Sequence, residues 1–440
     1  MNGTGAPSPA QPNPTAPDPP DRLTERVREA IAAITAGGMV LVADDVDREN
    51  EGDLIMAAGA ASAANIAFFL RHGSGIICAP MPAATADALE LPLMVSRGTD
   101  PLGTAFTVSV DDRNCGTGIS AADRALTLRT LADPTTAPGQ LRRPGHVFPL
   151  RARPGGVLKR AGHTEAACDL VSLAGRGDVG AITELVRDDG VTMSGADLTE
   201  FAERHGIPYI TVADLVRFRR RTERLVEANG TGRIPTRFGE FTATAYRSTI
   251  DDVEHLAFTY GDLHAADAGR GVLVRVHSEC TTGDIFGSLR CDCGKQLADA
   301  LELIAREGAG VLVYLRGHEG RGIGLGPKLR AYALQDAGRD TVDANLELGL
   351  PIDTREYGIG AAILSHLGVH RLRLITNNPR KYGGLAGFDL EVVERVRMST
   401  TVCPDNIAYL TTKRDRMGHL LDLPPGLVCS SAISTREPLS

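Results

Sequence analysis

Apolar and polar residues alternate in blocks along most of the chain, and the period within each block predicts its secondary structure. The segment from Thr24, "TERVREAIAAITAGG", carries apolar residues at helical spacing and ends in two glycines, which predicts a helix. The block that follows, "GMVLVADD", is a short continuous apolar run typical of a buried strand. Strand and helix patterns then alternate through a helix at about 196–205, a short strand and a basic helix that ends at Gly230. This first half is therefore predicted to be an α/β domain.

A second alternating series follows. "TGRIPTRFGEFTATAYRS" begins with Gly and Pro and continues as alternating strand residues, so we expect a domain boundary near 222–236. Downstream, "GVLVRVHS", "AGVLVYLRG" and "RLRLITNN" predict strands, while "KLRAYALQDAG", "YGIGAAILSHLG" and "DCGKQLADALELIAREG" predict helices. The last of these helices has Leu297, Leu301 and Ile304 on one face. The predicted fold class is α/β of the α+β sandwich type, with two domains, each a mixed sheet covered by helices, and the first strands of the second half can pair antiparallel.

The ends of the chain differ in composition from these domains. Residues 1–20 are rich in Pro and nearly free of large apolar side chains, which predicts a disordered leader. We expect the first domain at 21–222, a linker at 223–236 and the second domain at 237–415. The remaining residues, 416–440, contain Pro, Gly and Ser and are predicted to be a flexible tail.

Composition and charge narrow the class of protein. The formal net charge of −8 argues against a long basic face for nucleic acid. No apolar run approaches the roughly 20 residues that span a bilayer, and the N-terminus carries no secretory signal pattern. The eight cysteines are scattered irregularly, which suits reduced thiols and metal ligation better than a disulfide framework. We therefore expect a cytoplasmic enzyme that binds neither membrane nor nucleic acid.

Three cysteines lie close together in "VRVHSECTTGDIFGSLRCDCGKQL", residues 274–297. Cys280 follows a predicted strand, while Cys291 and Cys293 lie at the N-terminus of the next predicted helix, where the helix dipole favours thiolates. Three thiolates with a fourth position open to water are the ligands of a catalytic zinc ion. Two alternatives remain: three core cysteines, or a structural zinc ion whose fourth ligand is His277 or a distant cysteine.

Basic and glycine-rich segments near these cysteines suit a polyphosphate nucleotide. Arg275 lies toward the end of a predicted strand, and Lys381 follows another strand in "TNNPRK". Arg321 belongs to "RGHEGRGIGLGPK", whose backbone N–H groups can approach phosphate closely. A Gly-rich loop alone is weak support, and its value here comes from its combination with the cysteines and the basic residues.

A second candidate site is acidic. "VADDVDRENEGDLIMAA" places six carboxylates directly after a predicted strand: Asp44, Asp45, Asp47, Glu49, Glu51 and Asp53. Such a run is commonly a solvated loop, but the alternation of carboxylates around Arg48 also suits a hard cation. Further along, "RRPGHVFPLRARPGGVLKRAGHTEAACDL" supplies His146, Arg160, His163 and Thr164 among glycines. Together these segments are typical of a site for a phosphorylated sugar.

The second half resembles GTP cyclohydrolase II in "HSECTTGDIFGSLRCDC", "GHEGRGIGL", "YALQDAGRDTVDAN" and "TNNPRKYGGL", across nearly all of residues 230–415. The resemblance implies one Zn²⁺ on Cys280, Cys291 and Cys293 with no fourth protein ligand, and attack of a zinc-bound water on C8 of guanine. It assigns a proton-acceptor role to Asp353 and a nucleophile role to Arg355. Because a guanidinium stays protonated, stabilisation of charge at the α-phosphate is an alternative role for Arg355. The implied GTP contacts are Arg275, Val276, His277, Ser278, Glu279, Gln296, Glu319, Gly320, Arg321, Thr341, Thr376 and Lys381.

Tyr332, in "RAYALQD", is similar to the residue found in members of that family that carry the reaction to the fully ring-opened product.

The first half resembles 3,4-dihydroxy-2-butanone 4-phosphate synthase over about residues 22–220, in the acidic and His-containing segments and in "TGISAADRA" and "ITELVRDDG". The resemblance implies that Glu49 and His163 bind Mg²⁺ or Mn²⁺ and that His146 and Glu184 are essential for the chemistry. One departure is Val46, which stands where the family usually has a carboxylate. The implied contacts of D-ribulose 5-phosphate are Arg48, Glu49, Asp53, Arg160, Ala161, Gly162, His163 and Thr164.

The two halves in this order resemble the bifunctional family that supplies both precursors of riboflavin, and the resemblance also implies a homodimer. One alternative is an enzyme with GTP cyclohydrolase II activity alone, in which the first domain is an inactive scaffold. Another is a zinc-containing nucleic-acid-binding regulator that uses "RFRRRTER" as a basic face. The acidic net charge and the aromatic content of only 4% argue against the regulator, because aromatic side chains supply base stacking.

Overall fold

The computed structural model of the chain describes residues 20–96, 98–100, 102–350, 355, 357–378, 388–421 and 423. The chain divides into two compact units, residues 1–218 and 219–440. Each unit is described by itself below. None of the described helices is both long and apolar enough to cross a membrane.

Unit 1 contains a mixed sheet with helices. Within its described residues the sheet has seven strands in the order β4-β5-β3-β6-β2-β1-β7, and it combines antiparallel pairs such as β1–β2 with parallel pairs such as β1–β7. The strands are β1 (Met39–Ala43), β2 (Gly52–Ala57), β3 (Cys78–Pro82), β4 (Val110–Asp112), β5 (Leu141–Ala152), β6 (Gly180–Glu184) and β7 (Tyr209–Thr211). The helices are α1 (Pro20–Thr35), α2 (Ala63–His72), α3 (Ala83–Ala88), α4 (Ala121–Ala132), α5 (His163–Leu173), α6 (Ala196–His205) and α7 (Val212–Thr222).

Helices cover both faces of this sheet, which explains the continuous apolar runs of its central strands. In β1, Leu41 packs in a cluster with residues of α2, α4 and α6, whereas its neighbours Val40 and Val42 pack with α1, α5 and α7. Successive side chains of β2 also pack on opposite faces of the sheet, with Leu54 in the first cluster and Ile55 in the second. Because successive strand side chains point to opposite faces, a strand buried on both sides needs apolar residues at every position.

Unit 2 also contains a mixed sheet. Its described residues form seven strands in the order β14-β13-β11-β12-β10-β9-β8, parallel from β14 to β12 and antiparallel from β12 to β8. The strands are β8 (Val226–Thr236), β9 (Gly239–Ser248), β10 (Glu254–Tyr260), β11 (Val272–Ser278), β12 (Gly310–Leu315), β13 (Arg371–Ile375) and β14 (Glu391–Val396). The helices are α8 (Leu263–Ala268), α9 (Thr281–Asp284), α10 (Cys293–Glu307), α11 (Leu325–Asp336), α12 (Thr341–Glu347), α13 (Gly358–His366) and α14 (Ile407–Asp415).

The predicted fold class is confirmed in both units, including the antiparallel first strands of the second. Helix α10 packs on its sheet as expected, since Ile304 belongs to the core cluster that contains Phe241 and Leu312, and the partly buried Leu297 and Leu301 pack against that cluster. This face holds α10 in place, so the helix carries the residues at its N-terminus to a fixed position at the end of the sheet.

The basic helix predicted to run to Gly230 ends earlier, at Thr222, and most of the expected linker at 223–236 is strand β8. Strand β8 pairs with β9 along its length, from Val226 opposite Ser248 to Thr236 opposite Gly239. It lies at the edge of the sheet and most of its side chains are exposed. An edge strand tolerates Gly and Pro, which is why its sequence resembles a linker.

The expected leader and tail fall largely outside the described residues, but the start of the tail is visible and packed. Met417 and Leu421 are buried, and the N–H of Leu420 donates to the carbonyl of Asn377 at 2.9 Å. The expectation of a flexible segment from residue 416 is therefore wrong for residues 416–421, because apolar side chains in "MGHLL" anchor it to unit 2.

Candidate active sites

The three cysteines of unit 2 come together at one end of its sheet. Cys280 lies between β11 and α9, while Cys291 and Cys293 lie at the start of α10. Their sulfur atoms lie within 4.8 Å of one another, and the Cys280 and Cys291 sulfurs are 3.7 Å apart. In the part of the chain that the structure describes, no fourth His, Cys, Asp or Glu belongs to this group. The arrangement is a three-thiol site, as the sequence predicts.

Two glycines allow the thiols to converge. A Cβ atom at Gly283 would lie 2.8 Å from the Cys291 sulfur and 3.2 Å from the Cys280 sulfur. A Cβ atom at Gly294 would lie 2.2 Å from the carbonyl oxygen of Gly283. The close approach of α9 to the start of α10 therefore requires residues without side chains at both positions.

A buried lysine lies against the cysteines. Lys328 donates hydrogen bonds to the Cys280 sulfur at 3.2 Å and to Thr282 Oγ1 at 2.8 Å, and it forms an ion pair with Glu319. Burial alone would lower the pKa of Lys328, but its hydrogen bond to Glu319 and the charge of Cys280 raise that pKa above its usual value. The pKa of Cys280 is lowered, first by hydrogen bonds from Cys291 and Cys293 and further by the charge of Lys328. A thiolate with two adjacent thiols suits a soft divalent ion such as Zn²⁺.

His277, the alternative fourth ligand, lies outside the thiol group. Its Nε2 lies 3.1 Å from Asp284 Oδ1, and Asp284 Oδ2 also accepts from the Cys280 N–H and the Tyr314 hydroxyl, each at 2.9 Å. Asp284 thus holds the backbone of Cys280, and His277 supports that carboxylate. The sequence did not identify Asp284 or Lys328, because each is recognisable only from the folded contacts.

A cleft in unit 2 opens onto the thiols, and most of the predicted GTP contacts line it. Arg355 also lines it, with its guanidinium 5.7 Å from the centre of the Tyr357 ring. Tyr332 lines the cleft as well, and its hydroxyl lies 3.5 Å from Thr282 Oγ1. The predicted contacts in the wall are Arg275, His277, Ser278, Glu279, Gln296, Gly320, Arg321, Thr341 and Thr376.

Two described residues among the predicted contacts, Val276 and Glu319, are not part of that wall. Val276 is buried within β11, and Glu319 is buried with Lys328 and the N–H of Thr281 as partners. Asp353 and Lys381 lie outside the described residues. Residues that the sequence did not assign to this site also line the cleft: Asn345, Tyr409, Lys413, Met417 and His419.

The acidic site of unit 1 is organised by Asp44 and His163. The Asp44 carboxylate accepts the N–H groups of Glu49 and Glu51, each at 3.1 Å, and pairs with Arg48 at 2.7 Å, so it folds the loop after β1. His163, the first residue of α5, lies 3.7 Å from Glu49 Oε2 and 3.6 Å from Asp53 Oδ1. Two overlapping groups have ligand atoms within 4.8 Å of one another: Asp44, Glu49 and His163, and Glu51, Asp53 and His163.

The electrostatics of this cluster fit a divalent cation. His163 Nε2 lies 3.1 Å from the carbonyl of Val42 and must donate to it, which turns Nδ1 toward the carboxylates. Burial would lower the pKa of His163, but the charge of Asp53 and a hydrogen bond to Glu49 raise it to about 9. Burial, with repulsion from neighbouring carboxylates, raises the pKa of Asp53 to about 8 and that of Glu51 to about 7. A cation bound among these oxygens would relieve this repulsion, and oxygen-rich groups suit Mg²⁺ or Mn²⁺.

Two arginines meet at the N-terminus of α5. A Cβ atom at Gly162, which precedes the helix, would lie 2.8 Å from Arg160 Nη1 and 2.9 Å from Arg48 Nη2. Arg160 is also held by Glu165 at 2.7 Å. Guanidinium groups at a helix N-terminus favour an anion, so this segment, with Ala161 and Thr164 beside it, suits a phosphate group.

His146 and Glu184 lie on different strands of unit 1. Glu184 ends β6, opposite Asp53 on β2, and accepts a hydrogen bond from Ser74 Oγ at 2.6 Å. His146 lies on β5, which β3 separates from β6 in the sheet. The Nδ1 atom of its ring lies 2.8 Å from Asp111 Oδ2, and its backbone N–H donates to Asp111 Oδ1 at 2.9 Å. The structure thus brings Glu184 to the acidic cluster and gives His146 a partner that the sequence did not identify.

Comparison with known proteins identifies the family of each half of the chain. The family model of 3,4-dihydroxy-2-butanone 4-phosphate synthase matches residues 28–218, and that of GTP cyclohydrolase II matches residues 227–397. A solved structure of RibBX, described as a two-domain 3,4-dihydroxy-2-butanone 4-phosphate synthase from A. baumannii, is 36% identical. It covers 85% of this chain and all of its own, with a TM-score of 0.64.

Two relatives whose matches span both halves of the chain are more similar in sequence. The riboflavin biosynthesis protein RibBA of Salinispora arenicola is 58% identical over 397 residues, which are 90% of this chain and 94% of the relative. The RibBA protein of Salinispora tropica is 57% identical over 396 residues, 90% of this chain and 98% of the relative. The chain belongs to the family of bifunctional riboflavin biosynthesis proteins, with an N-terminal 3,4-dihydroxy-2-butanone 4-phosphate synthase domain and a C-terminal GTP cyclohydrolase II domain.

Proposed function

We propose that the acidic cluster of unit 1 converts D-ribulose 5-phosphate to 3,4-dihydroxy-2-butanone 4-phosphate and formate. The thiol cleft of unit 2 hydrolyses GTP to 2,5-diamino-6-(5-phosphoribosylamino)pyrimidin-4(3H)-one, formate and diphosphate. The observation that carries the proposal is the convergence of each ligand set within its own unit, the three thiols in one and Glu49 with His163 in the other. Formate release measured separately with each substrate tests both halves.

In unit 2, Cys280, Cys291 and Cys293 would hold one Zn²⁺. When bound, the ion would supply a Lewis acid that lowers the pKa of water toward neutral pH, which is the chemistry that hydrolysis of the guanine ring needs. Arg275 and Arg321 place positive charge in the wall of the cleft, which suits the triphosphate. Arg355 also lines this cleft, and its guanidinium stays protonated. This permanent charge supports a charge-stabilising role at the α-phosphate over a nucleophilic one. The proton-acceptor role of Asp353 stays a prediction.

In unit 1, Glu49 and His163 would hold Mg²⁺ or Mn²⁺. When bound, the ion would supply a Lewis acid for the oxygens of the ketose. Arg48 and Arg160 hold the phosphate at the start of α5, and Asp53 lies beside the metal ligands to contact the sugar. His146 and Glu184 transfer protons during enolisation and rearrangement.

The residue at position 46 bears on whether the first domain is active. Val46 is 76% exposed, and both groups of potential metal ligands come together in this chain with valine at that position. A carboxylate at that position would lie in solvent, so its replacement leaves the cluster of Glu49, Asp53 and His163 intact. This exposure supports two active domains over an inactive first domain.

We infer a reducing, cytoplasmic location, supported by the seven described cysteines, all of which are free thiols. The substrates are small molecules. A homodimer stays a prediction from the family resemblance.

Metal content is expected to differ between the two sites. Zinc should copurify at about one ion per chain, because three thiolates select zinc over magnesium. A strong chelator should stop GTP turnover, which zinc restores better than Mg²⁺, whereas Mg²⁺ should restore the reaction of the sugar phosphate. Elemental analysis and formate release measure these effects. Two zinc ions per chain in cysteine-rich sites would contradict a single catalytic zinc.

Asp111→Asn is expected to lower formate release from ribulose 5-phosphate about 10²-fold and to leave GTP turnover unchanged. The carboxylate orients His146 through its ring and its backbone N–H, and an amide holds the imidazole less well in its required tautomer. Asp87→Asn is the matched control, because it removes an exposed carboxylate of the same domain. Equal losses in both variants would refute the positioning role of Asp111.

A further inference from the structure

Helix α14 contributes to the GTP cleft from outside the region that the family model matches. The matched region ends at residue 397, whereas α14 spans Ile407–Asp415. Tyr409 and Lys413 of this helix, with Met417 and His419 after it, line the cleft. A segment that could be taken for a C-terminal extension thus forms one wall of the site.

Lys413 forms a buried ion pair with Asp292. Its Nζ donates to Asp292 Oδ1 at 3.0 Å, and the two side chains are only 11% and 4% exposed. The ammonium also lies 4.4 Å from the centre of the Tyr409 ring. Loss of one partner from such a pair leaves an unpaired buried charge, so the position of Asp292 depends on Lys413.

Asp292 lies in the sequence between Cys291 and Cys293, the proposed zinc ligands. Its second carboxylate oxygen connects the ion pair to residues on the nucleotide side of the cleft. Its Oδ2 accepts from Gln296 Nε2 at 2.5 Å, and Gln296 Oε1 accepts from Arg275 Nη2 at 2.7 Å. A carboxylate on one side and a guanidinium on the other allow only one orientation of the Gln296 amide. The four side chains therefore form one continuous hydrogen-bonded chain from α14 to β11.

We propose that Lys413 is a positioning residue of the GTP site. By holding Asp292, it fixes the Gln296–Arg275 pair that faces the nucleotide, so the C-terminal helix completes the cleft. The proposal rests on the GTP cyclohydrolase II reaction described above. It differs from a purely structural role, in which the ion pair would stabilise the unit without affecting how well the nucleotide binds.

The test uses the full-length protein and the variants Lys413→Met and Lys413→Arg. For each, kcat and KM for GTP, zinc content and Tm are measured. We expect Lys413→Met to raise KM for GTP about tenfold or more at near-normal zinc content, because it leaves a buried, unpaired charge on Asp292 and releases the Gln296–Arg275 pair from its fixed orientation. Lys413→Arg should recover most of this loss, because it keeps a cation next to Asp292. Arg414→Met is the matched control, because Arg414 is a half-exposed neighbour on the same helix that pairs with Asp415.

The outcomes separate the two roles of Lys413. A lower Tm or zinc content with an unchanged KM would show that the ion pair only stabilises the fold, and the proposal would be overturned. If Lys413→Met does not fold, Asp292→Asn replaces it as a near-isosteric change, and an unchanged KM in that variant would overturn the proposal equally. A wild-type protein without GTP turnover would instead contradict the proposed reaction itself.

Discussion

Cys291→Ser is expected to reduce formate release from GTP by at least about 10³-fold, because it removes one of three thiolate ligands of the proposed zinc ion. The zinc content should fall with it. Turnover of ribulose 5-phosphate by the same preparation should stay unchanged, because both groups of acidic ligands belong to unit 1. Formate release with each substrate and elemental analysis measure the effect.

Cys403→Ser is the matched control for this variant. Cys403 also belongs to unit 2, and its sulfur lies 3.7 Å from the carbonyl of Leu289, but it is not part of the three-thiol group. Near-normal GTP turnover is expected. If Cys291→Ser kept both zinc and activity, the three-thiol site would not be the catalytic centre.

His163→Ala is expected to produce the opposite pattern. Formate release from ribulose 5-phosphate should fall by at least about 10³-fold, and formate release from GTP should change little. The substitution removes the imidazole that both acidic groups share, and with it the nitrogen ligand of the proposed Mg²⁺ or Mn²⁺. Steady-state formate release with saturating metal measures the effect.

His205→Ala serves as its control, because this exposed histidine at the end of α6 contacts Phe68 and Phe201 rather than the acidic cluster. It should leave both reactions near normal. A parallel loss of GTP turnover in His163→Ala would mean that unit 1 supports the chemistry of unit 2.

Much of the fold could be predicted from the sequence because the sheets are covered by helices. Strands such as β1 and β12 are buried on both faces and therefore appear as continuous apolar runs. Helix α10 was predictable from its single apolar face. Strand β8 was not, because an exposed edge strand needs no apolar residues and its Gly and Pro resemble those of a linker.

The candidate sites were predictable where the ligands lie in short motifs. Cys280, Cys291 and Cys293 occur within fourteen consecutive residues, and the carboxylates of the acidic loop within ten. Their neighbours were not predictable from a local pattern. Asp111 lies 35 residues from His146, and Lys413 lies 121 residues from Asp292. Such pairs depend on sheet order and helix packing, to which no short segment of sequence corresponds.

The central claim is that one chain carries two independent activities. The most direct test is formate release by the wild-type, full-length protein, measured separately with GTP and with ribulose 5-phosphate in the presence of Zn²⁺ and Mg²⁺. We predict formate from both substrates, with the two rates additive when both are present, because each ligand set lies within its own unit. Formate release with GTP but not with ribulose 5-phosphate would contradict this claim and would identify the first domain as an inactive scaffold.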